Sequence, residues 1–376
     1  MNQKVAFTVA EAITKELVAA EVEVVYGIVS IHNMPIYDAI HREGSIRIVT
    51  ARGESGAVNM ADAYARSTGK LGVVITSTGT GAGNTAGSIA ETWNSSTPLL
   101  HITGEADSRY IGTDQRYIHE AKDQQTMMEG AGKSSYLLKR PKQITPLMRK
   151  AIKEAQAVPQ GPVTISVPTN FQPQIIPENH LVNVETTPDV KVNLPTEVIR
   201  RITSAKRPVV WVGSGAVMSG ASEELRELVN NLQPAIITSE AAKGIIPENH
   251  PLCIGNFAAT PQVETLLKEA DLLLSIGVRF RGDQTYNWTL PVPENHINID
   301  LNPDAFNRNF DTLYTLVGDA KAVLTELNEN LSTEQLVVDE AYVNEVKEIC
   351  QAVKDDLRAQ IGPYAEIADI INKQLA

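Results

Sequence analysis

Two strand-to-helix turns carry the residue types that could do chemistry in this sequence. The first is Arg52-Gly53-Glu54-Ser55-Gly56, which runs into the helix-period stretch AVNMADAYARSTG. A carboxylate at that place faces unpaired helix N–H groups and the positive end of the helix dipole, so Glu54 read alone is a helix-terminus residue. The second is Ser77-Thr78-Gly79-Thr80-Gly81-Ala82-Gly83-Asn84. Glycines in such a turn let backbone approach a ligand and free N–H groups for an anion. No Lys-Ser or Lys-Thr follows, so the turn is not a phosphate loop and phosphoryl transfer is disfavoured. A third glycine turn, Gly213-Ser214-Gly215, is an incomplete dinucleotide fingerprint. Arg279 and Asp300 could touch a nucleotide near it, and are equally ordinary strand-end residues.

The elements that must position these turns follow from hydrophobic periodicity. Short apolar runs at 22–28, 46–50, 71–76, 99–103 and 163–167 alternate with helix-period stretches at 57–66, 86–93 and 144–157. Short β-rich runs separated by helices predict a parallel sheet covered on both faces. The alternation restarts after a proline-rich stretch holding Pro168, Pro173, Pro177, Pro188 and Pro195, which reads as a connection crossing between domains. Strands at 208–212, 235–238, 272–276, 296–299 and 313–317, with helices at 222–230 and 263–269, make a second doubly wound α/β unit. The tail from Asp339 is helical with charged faces. The expected organisation is a first domain over 1–170, a linker over 171–195, a Rossmann-like domain over 196–335 and a helical tail over 336–376.

Taken in order, several of these pieces are specific. YGI-x-x-x-H-x-x-PIYDAI, RGESGAVNMADAYARSTGK and STGTGAGNTAGSIAETWNSSTPLLHITG follow one another, and VVWVGSGAV, LLLSIGVRF and INIDLNP come later. The run resembles the pyrimidine-binding and central domains of thiamine-diphosphate enzymes of the acetolactate synthase and 2-oxo-acid decarboxylase family, which includes benzoylformate decarboxylase. The resemblance implies that Glu54 is a buried glutamate bonded to a ring nitrogen of the cofactor's aminopyrimidine, which primes thiamine diphosphate to add to a 2-oxo acid and act as an electron sink. Burial, raising the carboxyl's pKa, suits that proton sharing. The resemblance also makes Glu54 a catalytic residue and sets Val29, Ser30, Thr78, Gly79 and Asn84 beside the cofactor.

Other roles implied by the resemblance stay two-sided. His32, in the loop Val29-Ser30-Ile31-His32, is either a proton carrier near the substrate carbonyl or a loop histidine bonded to backbone. His119, in the segment Tyr117-Ile118-His119-Glu120-Ala121-Lys122-Asp123-Gln124, is a second relay candidate or an exposed loop residue; a glutamine or histidine of that segment is expected to face substrate. Relatives often have Pro-Gly where this chain has Val29-Ser30 and a histidine where it has Gly53, and benzoylformate decarboxylase-like enzymes place a histidine near Ser77, which this chain lacks. Trp93 is expected to pack in the core or at a dimer interface. The central domain is expected to be structural, with FAD the less favoured occupant.

The tail IGPYAEIADIINKQLA resembles the helix before the family's third domain, whose Gly-Asp-Gly and asparagine hold Mg²⁺ and the diphosphate. The expectation is therefore a piece of a longer enzyme, or else a split subunit, that needs that domain in cis or in trans and is largely inactive alone. Homodimers or homotetramers are implied, because the family's site lies between subunits. The alternative is a non-catalytic nucleotide- or FAD-binding regulatory module that kept the fold. A net charge of −12 without a basic run argues against nucleic acid. No run of ~20 apolar residues argues for a membrane span. Two cysteines without metal-ligand spacing, Cys253 and Cys350, suit a reducing cytoplasm.

Overall fold

Within the two main sheets every strand runs parallel to its neighbours, the arrangement that buries a sheet on both faces and demands continuous apolar strands. The computed structural model describes residues 6–177, 194–334 and 338–375. Contacts divide the chain into two units, Met1–Thr186 and Thr187–Ala376.

The first unit holds strands β1 (Ala6–Thr8), β2 (Val24–Gly27), β3 (Arg47–Thr50), β4 (Gly72–Thr76), β5 (Leu99–Glu105), β6 (Ser134–Leu137), β7 (Pro162–Pro168) and β8 (Ile175–Pro177). Six of them form a sheet in the order β3-β2-β4-β5-β7-β6. Successive side chains on a strand point to opposite faces, so Val73 and Val74 of β4 enter two separate cores. On one face, Val25, Val73 and Ile75 meet Ile13, Leu17, Ile36, Ile40 and Met148 from helices Val9–Ala19, Met34–Glu43 and Ile144–Gln156. On the other, Val24 and Val74 meet Val58, Ala61, Ile89 and Met128 from helices Glu54–Thr68, Ala86–Asn94 and Gln124–Ala131. The chain winds outward from β2 to β3, then crosses back to β4. The loops leaving β2 and β4 therefore flank the point where winding reverses, the place where open α/β sheets bind ligands.

The second unit repeats the plan. Strands β9 (Pro208–Val212), β10 (Ala235–Thr238), β11 (Cys253–Gly255), β12 (Leu272–Ile276), β13 (His296–Asp300) and β14 (Tyr314–Val317) form a parallel sheet in the order β11-β10-β9-β12-β13-β14. Trp211 is completely buried and meets Phe280 edge-on.

Three local readings differ. Residues 178–193 of the proline-rich stretch lie outside the described residues, but its beginning is fastened to the first unit. There β8 pairs antiparallel with β1, and the Val9 and Ala10 N–H groups donate to the Gln174 and Gln172 carbonyls. Strands β6 and β11 were not anticipated. Finally, the helix Glu340–Ile361 is no loose tail, because Tyr342, Val343, Val346, Cys350 and Val353 join the second unit's core.

Candidate functional site

A buried amide holds the turn after β4 from beneath. Gln124 Oε1 accepts the Gly79 N–H at 2.6 Å and the Thr78 hydroxyl at 3.1 Å. Its Nε2 donates to the Gly104 carbonyl and to Ser166 Oγ, both at 2.9 Å. All the polar capacity that this side chain turns inward is used, as burial requires. The Gly81 N–H donates to the Thr78 carbonyl. The Gly79 and Gly81 N–H groups are therefore spoken for inside the protein, which corrects the expectation that the glycines free them for an anion. The glycines serve close approach instead. Gly79 has φ +53°, and a Cβ there would lie 1.5 Å from the His119 carbonyl oxygen.

Glu54 is the first residue of its helix, as the turn chemistry requires, and leans over this same turn. Its Oε2 accepts from Asn84 Nδ2 at 3.1 Å, while Ser55 Oγ donates back to the Asn84 carbonyl. A Cβ on Gly81 would sit 2.7 Å from the Ser77 Cβ and 3.3 Å from Glu54 Oε1. A side chain at Gly81 would crowd both Ser77 and the carboxylate. Glu54 is half-buried and Asn84 exposed. This corrects the expectation of a buried glutamate: one copy of the chain supplies the helix terminus and the asparagine but not the desolvation.

His32 is the opposite case, a loop residue only 1% exposed. Its backbone is clamped on several sides. Its carbonyl accepts from Gln172 Nε2 at 2.7 Å, and its N–H donates to Ser30 Oγ at 3.2 Å. Asn33 closes the loop by accepting from the Ser30 N–H and donating to the Ile28 carbonyl. A Cβ on Gly104 would come within 2.5 Å of the His32 carbonyl oxygen, so that glycine makes the niche. The ring's Nδ1 lies 3.3 Å from Ser77 Oγ, whereas Nε2 is buried without a well-formed hydrogen bond. Burial, with His119 close by, holds the ring below the usual imidazole pKa, and the Ile118 backbone partly opposes this.

His119 is exposed and left-handed, at φ +61°, with its ring centroid 5.6 Å from that of His32. His32 thus stands against Ser77, and Gly81 keeps a side chain from crowding either Ser77 or the Glu54 carboxylate. Val29 is exposed with no hydrogen bond or ring contact to these groups, and Ser30 serves the loop that holds His32. Sequence reasoning missed Gln172, Glu105 and the role of Gln124. Glu105 is a buried carboxyl whose pKa is raised by burial, against the Ala106 N–H and Thr78 hydroxyl that it accepts. Only its position at the end of β5 could have flagged it. The Tyr117–Gln124 segment was marked as holding a substrate-facing residue, but its glutamine faces inward.

In the second unit, the glycine turn is explained by packing. A Cβ on Gly213 would lie 2.0 Å from the Gly277 carbonyl oxygen, and one on Gly215 would lie 2.8 Å from the Gly277 Cα. Two strand-end loops touch backbone to backbone, and Asp300 accepts from the Asn302 N–H at 2.8 Å. Trp93 is partly exposed and lies against Gly161. Cys253 and Cys350 are free and buried, their thiols held above the usual range by burial. Among the described residues, no three His, Cys, Asp or Glu side chains are arranged to hold a metal, and no helix is long and apolar enough to cross a membrane.

Comparison with known proteins bears on both units. Residues 7–127 match the family profile described as thiamine pyrophosphate enzyme, N-terminal TPP binding domain, and residues 196–327 match thiamine pyrophosphate enzyme, central domain. The chain is 33% identical over 333 residues to a probable acetolactate synthase large subunit of Methanococcus aeolicus, covering 86% of this chain and 55% of that protein. It is 31% identical over 336 residues to the acetolactate synthase isozyme 3 large subunit of Escherichia coli, covering 86% and 58%. It is 31% identical over 338 residues to a probable 2-ketoarginine decarboxylase of Pseudomonas aeruginosa, covering 89% and 60%. The chain thus spans a little over half the length of these relatives.

Proposed function

This chain belongs to the thiamine pyrophosphate enzyme family, with its N-terminal and central domains in that order, and from that premise we propose that it works as an acetolactate synthase-like enzyme that decarboxylates or joins 2-oxo acids. The observation that carries the proposal is Glu54 at a helix start, with Oε2 fixed by Asn84 and Oε1 accepting no hydrogen bond among the described residues. That geometry fits a ring nitrogen sharing a proton with the carboxyl. When bound, thiamine diphosphate supplies a nucleophilic thiazolium carbon and an electron sink for the 2-oxo acid.

The chain's own residues then take distinct tasks. Glu54 holds a proton at Oε1, and Asn84 keeps the carboxylate from rotating away. Gly81, lacking a side chain, leaves the carboxylate uncrowded. His32 sets Nδ1 against Ser77 Oγ, and burial favours its neutral ring. His119 lies across from it on a loop braced by Gly79. We place Mg²⁺ and the diphosphate on a further domain, in cis or in trans. A second copy of the chain supplies the burial that Glu54 lacks, and the exposed Val29, Ile31, Met34 and Ile118 support such an interface in a homo-oligomer. The two free thiols suit a cytoplasmic location.

The test is carbon dioxide release from 2-oxo acids with thiamine diphosphate and Mg²⁺, in a preparation that includes the diphosphate-binding domain. Glu54→Gln keeps the Asn84 contact but removes the titratable proton, and activity should fall by at least about 100-fold. Activity within fivefold of the parent would overturn the assignment.

A further inference from the structure

One buried carboxyl beside the turn takes no part in the tasks above. Glu105 ends β5, is 5% exposed, and stands in sheet register with Pro168 of β7. Its Oε1 accepts the Ala106 N–H at 2.8 Å and lies 3.4 Å from Thr78 Oγ. Thr78 is completely buried, and its hydroxyl also lies 3.1 Å from Gln124 Oε1. A threonine hydroxyl has one hydrogen to give. Two acceptor oxygens converge on it, and the shorter distance assigns the hydrogen to Gln124. The contact between Glu105 and Thr78 is then one hydrogen short, unless the carboxyl brings its own.

The surrounding charges argue the same way. Glu120 and Asp123, from the segment before the Gln124–Ala131 helix, act on Glu105 with its own sign. The end of β4 offers Ser77 and Thr78, and the end of β7 offers Pro168 and Thr169, all uncharged. On the strand's own continuation, Arg109 is committed to Asp107 by hydrogen bonds of 2.9 and 2.6 Å. Among the described residues no cationic side chain pairs with Glu105. An ionised carboxylate enclosed with like charges and no counter-ion is disfavoured, whereas a carboxylic acid in the same place can donate. Burial accordingly pushes this carboxyl above the usual range, and the Ala106 N–H opposes it only in part.

We propose that Glu105 is a proton-operated catch on the turn after β4. With its proton the carboxyl donates to Thr78 Oγ, Thr78 donates to Gln124, and Gln124 holds the Gly79 N–H. One chain of hydrogen bonds then runs from the end of β5 to the turn. Without the proton, the carboxylate takes the Thr78 hydrogen from Gln124 and repels Glu120 and Asp123, and the turn loosens. The step is a single O–H ionisation, with the proton leaving to solvent. The catch belongs to the first unit alone and does not rest on the thiamine reading.

A carboxyl whose folded pKa lies above its unfolded one, about 4.3 for glutamate, costs the fold stability as pH rises through the folded value. Glu105→Gln puts an amide donor against Thr78 at every pH. The full-length variant should therefore melt on the order of 3 °C or more above the parent at pH 8, and the gain should shrink by pH 5. Carbon-13 NMR of glutamate-labelled protein should show one carboxyl signal, absent from Glu105→Gln, that titrates above about 4.3. Glu120→Gln should move that midpoint down, because it removes a like charge. Hydrogen exchange, corrected for its intrinsic pH dependence, should show severalfold lower protection of residues 77–84 at pH 8 than at pH 6 in the parent, and no such fall in Glu105→Gln. A midpoint at or below that of free glutamate, a Glu105→Gln chain that melts no higher than the parent at pH 8, or turn protection that follows pH equally in both chains would overturn the proposal.

Discussion

Replacing Gln124 by leucine tests the account of the turn most directly. The side chain is 3% exposed and of nearly the same volume as leucine, so the change removes polar contacts with little change in packing. It strips the Gly79 N–H of its acceptor and the Gly104 carbonyl of its amide donor. Ser166 keeps a bond from Gln125, and the Thr78 hydroxyl keeps the longer one to Glu105. The Gly79 N–H is thus orphaned, at about 1–3 kcal/mol, and the Gly104 carbonyl keeps only the Thr103 hydroxyl at 3.2 Å, for a total of about 2–4 kcal/mol. In a domain of this size that corresponds to a fall in Tm of roughly 5–15 °C for the first unit. Hydrogen exchange followed by mass spectrometry supplies the local readout, since the Gly79 amide should lose its protection while amides in β9 and β12 keep theirs. Gln124→Glu separates geometry from charge. It restores the acceptor for Gly79 but not the donor for Gly104, and it adds a carboxylate beside Glu105. Its defect should therefore shrink as the pH is lowered through the acidic range. A leucine variant that loses less than about 1 kcal/mol, with Gly79 still protected, would refute the view that this amide holds the turn.

Other changes have equally definite outcomes. His101 bridges Thr76 and Thr164, and His296 lies between Ser275 and the Asp311 carbonyl; burial pushes them down to about 3 and about 4. Both are depressed below the unfolded value of about 6.5, so the neutral forms stabilise the fold above that pH and each histidine costs about 2 kcal/mol by pH 5. Melts at pH 7 and pH 5 should show this loss, and His101→Gln should lessen it in the first unit. Gly213→Ala should unfold or strongly destabilise the second unit whether or not a nucleotide is added, as circular dichroism would show, because its Cβ meets a backbone oxygen at 2.0 Å. Gly104→Ala should displace His32, so the imidazole NMR signal of that residue should titrate closer to its ordinary pKa.

Much of the fold was legible because parallel strands buried on both faces cannot avoid being continuous apolar runs. β4, β9 and β12 stand within a residue of where periodicity sets them. The misses are elements without that signature. β6, Ser134–Leu137, is a half-buried edge strand of mixed polarity, and β11 has only three residues. At the site, local chemistry was readable and long-range chemistry was not. Glu54 at a helix start and glycines in a turn are properties of neighbours in sequence. The occupant of the Gly79 N–H is a glutamine 45 residues away, and what buries His32 is Gln172 and Gly104, 140 and 72 positions away. Glu54 shows a different limit, since how far a carboxyl at a helix start is covered depends on residues distant in sequence, such as Asn84.

The brace between Gly79 and His119 runs through the latter's carbonyl, not its ring. What stands at 119 is consequently an interchangeable fitting on a fixed mount, provided that the replacement accepts a left-handed backbone, as asparagine, aspartate and glycine do. Substitution at that one position changes the group the loop presents while the turn beneath keeps its shape.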